Sequence, residues 1–249
     1  RSTTRPDRRF SLGALRDLQV LLVLAHAGEQ AWTDERLAPL HRRGTNFSSG
    51  DHAQLAAWLR AQPGELVARW RRAALLPGVE VSTSPYAHPI MPLLIDSSVV
   101  DASWAPHPAP AVPPFSRPDD ARWQLASGLA YMREQGFATL GCWPPEGSVS
   151  AAAVAEYAAA GVRWLVADEG ILERSLDRPL RNGGLAAGEL YRTSRLGRQG
   201  PVLLFRDRHL SDAVGFQYGR WEDEGQAAEH LTRELEALAR ALPPEAAIT

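Results

Sequence analysis

Four short apolar runs limit what this chain can fold into: VEVST (Val79–Thr83), ATLGCW (Ala138–Trp143), RWLVA (Arg163–Ala167) and PVLLF (Pro201–Phe205). They are rich in β-branched and aromatic residues and too short for helices, as buried strands are. Longer helical patterns lie between and after them. One runs from about Asp119 to Gln135. The next is SVSAAAVAEYAAA, with Ser148 or Ser150 placed to cap its start and Gly161 to end it, and the last runs from about Gln226 to Leu242. Strands separated by helices pair in parallel through crossovers, which predicts an α/β sheet or barrel.

The polar residues follow the same order. Each run is followed by reactive side chains just past its carboxyl end: Tyr86 and His88, then Trp143 and Glu146, then Asp168 and Glu169, then Arg206, Asp207 and His209. In parallel α/β barrels the loops at that end build the active site, so this shared polarity points to an enzyme. Glu146 stands between two prolines and a glycine, a stiff approach and a free exit that aim its side chain. Asp168 comes one strand later. Neighbouring strands are about 4.8 Å apart, so the two carboxylates fall within the roughly 5–9 Å that glycosidases use. Trp143, Tyr86 and Trp164 are candidate stacking platforms for a sugar, and Arg206, Asp207 and His88 are candidate partners for its hydroxyls.

Plainer readings stand beside these. Glu146 also suits a charge favouring a helix N-terminus, Asp168 and Glu169 suit a solvated turn, the tryptophans suit a core, and His88 suits a loop brace. A metal held by His88, His209, Asp168 and Asp207 is a competing chemistry, although no helix carries a close His pair. Gly147-Ser148 is not a Gly-x-Ser-x-Gly elbow, which argues against a serine nucleophile.

With 249 residues and 45% hydrophobic content, one domain (1–249) is expected, with a helical subregion at 11–76 and the barrel portion at 77–249. In the helical part Pro63-Gly64 is read as a break, and His26, His41 and His52 are scattered. The segment APHPAPAVPPFSRP holds six prolines and reads as a stiff surface loop. Twenty-seven basic residues, all arginine, face 29 acidic ones, so no net field selects a nucleic acid or an anionic membrane as partner. The single Cys142 excludes an internal disulfide and fits either a reducing compartment or a protein that needs no staples, so the compartment is left open, with the cytoplasm favoured. The start, RSTTRPDRR followed by LQVLLVLAHAG, imitates a secretory signal. Arg16 and Asp17 interrupt it, and a buried helix is expected instead. The absence of an initiator Met suggests a processed or excised chain.

At these same residues the chain resembles glycoside hydrolase family 57, retaining α-glucan-acting enzymes that include amylopullulanases, 4-α-glucanotransferases and branching enzymes. The resemblance lies in EVSTSPYAHPIMPLL (Glu80–Leu94), GCWPPEGSVS (Gly141–Ser150), WLVADEGIL (Trp164–Leu172) and FRDRHLSDAVGFQY (Phe205–Tyr218). It implies an incomplete (β/α)7 TIM-like barrel, an α-glucan as substrate, no cofactor or metal, and Glu146 as nucleophile. Tyr86, His88, Trp143, Arg206 and Asp207 then surround the sugar. The family's His-Gln-Pro motif and the Asp-Gly-Glu-type motif that carries its acid/base do not occur. The resemblance therefore makes Asp168 a sugar contact and places the proton donor outside these residues, as in the central part of a longer enzyme, whereas spacing alone nominates Asp168 as acid/base.

Overall fold

The computed structural model describes residues 10–28, 32–100, 113–181 and 188–249. The basic start of the signal-like segment and most of the proline-rich loop lie outside these residues. The chain divides into two compact units, Arg1–Ala73 and Ala74–Thr249.

The first unit is helical: α1 (Leu12–His26), α2 (Ala38–Arg43) and α3 (Ser49–Ala73). Ser11 caps α1 by accepting from the Ala14 N–H at 3.1 Å. The expected buried helix buries one face only. Val20 and Leu24 join Leu37, Leu40, Phe47, Leu55 and Trp58 in the core, while Leu18, Leu21 and Leu22 are exposed. The expected break at Pro63-Gly64 is not present, because α3 runs through Pro63. Proline deletes one backbone bond, but strong helix formers lie on either side of the Pro63-Gly64 pair, and the Gln62 amide donates to the Trp58 carbonyl at 3.1 Å beside the interruption.

The second unit is built on a sheet of four strands, β1 (Gly141–Cys142), β2 (Trp164–Asp168), β3 (Ser194–Arg195) and β4 (Val202–Arg206), in the order β1-β2-β4-β3. The β1, β2 and β4 strands are parallel, as their helical connections require, and β3 is antiparallel to β4. VEVST contributes only a parallel bridge from Thr83 to Cys142, with Thr83 N–H to Gly141 O at 3.2 Å and Trp143 N–H to Thr83 O at 2.7 Å. The α/β class is therefore as expected. Among the described residues the sheet stays open, and β3 was not anticipated because two residues carry no pattern.

Among the described residues the α-helices of this unit are α4 (Met91–Ile95), α5 (Pro118–Glu134), α6 (Ala151–Ala159), α7 (Glu169–Leu176), α8 (Arg208–Asp212) and α9 (Glu224–Ala241). Ser150, not Ser148, caps α6 by accepting from Ala153 N–H at 3.2 Å, and Gly161 takes φ +85° just past its end. One sheet face is covered. Cys142 and Leu165 pack with Met91, Leu125, Val154 and Tyr157, and Ala167 and Phe205 pack with Leu172, Leu210 and Leu238. The opposite face carries Trp164, Val166 and Asp168 beside Val202, Leu204 and Arg206, in register and only half-buried.

Gly141 allows the close contact on that half-buried face. A Cβ there would lie 1.9 Å from the Trp164 ring, which its N–H ties to Glu80 Oε1 at 2.9 Å. Gly141→Ala should therefore cost about 1–3 kcal/mol of stability by displacing the indole. The shift in urea midpoint at unchanged slope measures it, and an unshifted midpoint would show that the ring moves freely.

Candidate active site

Because Thr83, β1, β2 and β4 run parallel, the residues that follow them share one end of the sheet. The loop after Thr83 is held to α5, with Tyr86 N–H donating to Gln124 O at 3.0 Å and Ala87 N–H to Gln124 Oε1 at 2.7 Å. Tyr86 is 60% exposed and meets Trp123 edge-on at 5.8 Å. His88 is exposed and sits in the left-handed region at φ +56°. The Ser84 hydroxyl donates to the Trp143 carbonyl at 2.9 Å and joins this loop to the next.

After β1 the backbone makes two overlapping turns, Gly147 N–H to Pro144 O at 2.8 Å and Ser148 N–H to Pro145 O at 3.0 Å. Glu146 is left-handed at φ +56°, ψ +21°, and Gly147 follows at φ +63°. No other residue fits at 147, since a Cβ there would lie 2.9 Å from the Asp168 nitrogen. The turn thus presses on the end of β2 and leaves Glu146 exposed. Its carboxylate makes no hydrogen bond or ion pair among the described residues. It lines a cleft of about 910 Å³ together with Ile90, Leu93, Ser148, Ile171 and Arg174. Trp143, half-buried, immediately precedes the turn.

At the end of β2, Asp168 is fixed on both oxygens. Oδ1 accepts from Gly170 N–H at 2.8 Å, capping α7, and Oδ2 accepts from Arg206 Nε at 2.8 Å. Strand register places Arg206 directly beside it. The residue that follows each strand turns the other way. Glu169 is 0% exposed and Asp207 2%, and both are bound by Arg181. Glu169 also accepts from the Arg208 N–H at 3.0 Å, while Asp207 accepts from the Tyr191 hydroxyl at 2.6 Å and from the Leu210 N–H at 3.0 Å. Burial alone would raise the Asp207 pKa. The Arg181 guanidinium, the Tyr191 hydroxyl and the Leu210 N–H outweigh it and hold the carboxyl below its ordinary range.

The structure therefore brings Glu146, Asp168 and Arg206 to one rim, with Tyr86, His88 and Trp143 on adjoining loops, and turns Asp207 into the interior. Trp164 is a correction: as the first residue of β2 it lies at the opposite end of the sheet, away from this rim. Among the described residues no three His, Cys, Asp or Glu side chains converge as metal ligands. Arg181 and Tyr191 were not foreseen, because they sit in irregular segments with no periodicity or motif.

Parallel strands thus deliver Asp168 and Arg206 to a common rim, the arrangement of an α/β protein with its polar side chains gathered at the strand ends. The profile of glycosyl hydrolase family 57 matches residues 30–247, and the chain belongs to that family. No curated protein sequence matches it. Among solved structures it is similar to a 4-alpha-glucanotransferase from Thermococcus litoralis (16% identity over 66% of this chain and 22% of that one, TM-score 0.44). Others are the alpha-amylase AmyC from Thermotoga maritima (14%, 80% and 33%, TM-score 0.46) and a branching enzyme from Thermococcus kodakaraensis (15%, 82% and 36%, TM-score 0.48). The chain thus spans 22–36% of the length of these structures.

Arg181→Met should leave Glu169 and Asp207 buried without their cation, at a cost of about 3–5 kcal/mol. The pH dependence should also invert. In the wild type the lowered Asp207 pKa gives stability that is present above the unfolded carboxylate pKa and lost as pH falls through the folded value. Without Arg181, burial raises the carboxyl pKa, so the variant should gain stability as pH falls toward about 4. Denaturation midpoints between pH 2 and 8 measure both, the wild type losing stability below about pH 4 and the variant gaining it as pH falls from 8 toward 4, and parallel slopes would refute the assignment.

Proposed function

We propose that this chain carries the nucleophile side of a retaining α-glucan hydrolase or transglycosylase, on a sheet that is part of an incomplete (β/α)7 barrel. The observation that supports this most directly is the Glu146–Gly147 turn, which seats Gly147 on Asp168 at the end of β2 and leaves beside a cleft a carboxylate with no hydrogen bond or ion pair among the described residues. Membership of family 57 supplies the reaction class.

In this reading the Glu146 carboxylate attacks the anomeric carbon, a second carboxylic acid beyond the residues of this rim protonates the leaving oxygen as the glycosidic bond breaks, and a covalent glycosyl-enzyme forms. Water or a sugar hydroxyl then releases the glycosyl group with retained configuration. Asp168, with one oxygen on Gly170 N–H and the other on Arg206, acts as an acceptor for a sugar hydroxyl and not as the proton donor. Arg206 is its positioning residue, and Asp207 positions the same rim from beneath through Arg181. Tyr86, His88 and Trp143 hold the sugar from the flanking loops. No nucleic acid, membrane or cofactor takes part.

The engagement of both Asp168 oxygens also favours a second reading, a carbohydrate-binding or regulatory module that lacks a proton donor. Incubation with a maltooligosaccharide and with a fluorinated glycosyl trap separates the two. The first reading expects retained-configuration products, a trapped adduct on Glu146, and loss of turnover by about a thousandfold or more in Glu146→Gln. Saturable binding with neither turnover nor adduct supports the module, and an adduct on another residue refutes Glu146.

A further inference from the structure

A second cleft, of about 660 Å³, opens at the amino-terminal ends of β2 and β4. Four residue steps of a strand separate Trp164 from Asp168, so this cleft lies roughly 13 Å from the rim. One wall is the turn from α6 into β2 with Arg163, and the other is the β3–β4 hairpin with Thr193, Arg195 and Gln199. The walls are held in place. Arg195 donates to the Gly200 carbonyl at 2.7 Å, and the Trp164 indole is fixed between Gly141 and its bond to Glu80.

The charged residues lining this cleft are Arg163 and Arg195, in a chain whose net charge is −2, and the nearby Glu80 carboxylate is taken up by the Trp164 and Leu140 N–H groups. On the other side of the unit Arg178, Arg181, Arg206 and Arg208 each have an acidic partner. Among the described residues Arg163 and Arg195 have none. A guanidinium fork is matched best by a phosphate or carboxylate, and the indole offers an apolar plane beside it. The volume lies within the roughly 300–1,000 Å³ of small-molecule sites.

We propose that this cleft binds a phosphate monoester carrying a ring, with the phosphate between Arg163 and Arg195 and the ring on the indole of Trp164. Thr193 and Gln199 meet the polar groups of the ring. A sugar phosphate and a nucleoside monophosphate share this chemistry, and because the cleft is at the far end of the strands its ligand does not compete with a glucan at Glu146.

Calorimetric titration of the full chain with inorganic phosphate, glucose, glucose 6-phosphate and adenosine 5′-monophosphate tests this. One of the two esters should bind saturably, at least about tenfold tighter than inorganic phosphate, and glucose alone should not bind this cleft. Arg163→Gln, an exposed substitution whose fold circular dichroism verifies, should weaken the ester by about tenfold or more, and added salt should weaken it in the wild type. The Glu146→Gln variant should bind the ester as the wild type does, which separates this site from the glucan reading. Absence of saturable ester binding, or binding insensitive to both Arg163→Gln and salt, overturns the proposal. Inorganic phosphate binding as tightly as the esters overturns the role of the indole.

Discussion

Glu169 and Asp207 share one guanidinium, Arg181, and the rim of the sheet is organised around that junction. Taking a carboxylate out of water costs several kcal/mol, and an ion pair offsets this only when the remaining lone pairs are filled. Here they are, by Arg208 N–H on Glu169 and by Tyr191 hydroxyl and Leu210 N–H on Asp207. Such a network adds little net stability over an apolar core of the same shape. Its effect is geometric, because it fixes where α7 and α8 leave their strands. Side chains alternate along a strand, so the residue before each inward anchor faces the other way. Asp168 precedes Glu169, and Arg206 precedes Asp207. The buried pair sets the position of the outward pair, and parallel register brings the outward pair together.

Two glycines do comparable work on the same face. Gly141 makes room for the Trp164 ring, and Gly147 makes room for the backbone of Asp168. The first contact secures the amino-terminal end of β2 and the second its carboxyl end. A side chain at either position would push β1 and its loop away from β2. The separation between the Glu146 turn and Asp168 therefore depends on the absence of two Cβ atoms as much as on any attraction.

The parts of this arrangement that were legible in the sequence are those that repeat. Strand-like runs recurred with helices between them, and polar residues recurred at a constant offset past each run, so the common rim around Glu146, Asp168 and Arg206 followed from parallel pairing. Pro144-Pro145-Glu146-Gly147 announced a shaped turn through residue types that restrict or release φ. What was hidden depends on single long-range contacts. Arg181 reaches Glu169 and Asp207 from an irregular segment, and no period links the three. Trp164 was grouped with the sugar platforms for its residue type, although it opens the run Arg163–Ala167 and the polar residues gather past the other end. Pro63 misled because a local breaker was overridden by the helix formers around it.

The backbone at Glu146 narrows what that residue is there to do. A left-handed conformation costs a non-glycine residue roughly 1–2 kcal/mol, and glycine or asparagine would adopt this turn more readily. A stabilising helix charge would account for a glutamate, but α6 begins at Ala151 with Ser150 as its cap. Glu146 lies outside the first turn, where the dipole acts. It makes no hydrogen bond or ion pair among the described residues and is exposed, so neither packing nor pairing stabilises it. A residue that strains its own turn and returns nothing to the fold is what the role proposed above for its carboxylate in the neighbouring cleft would require.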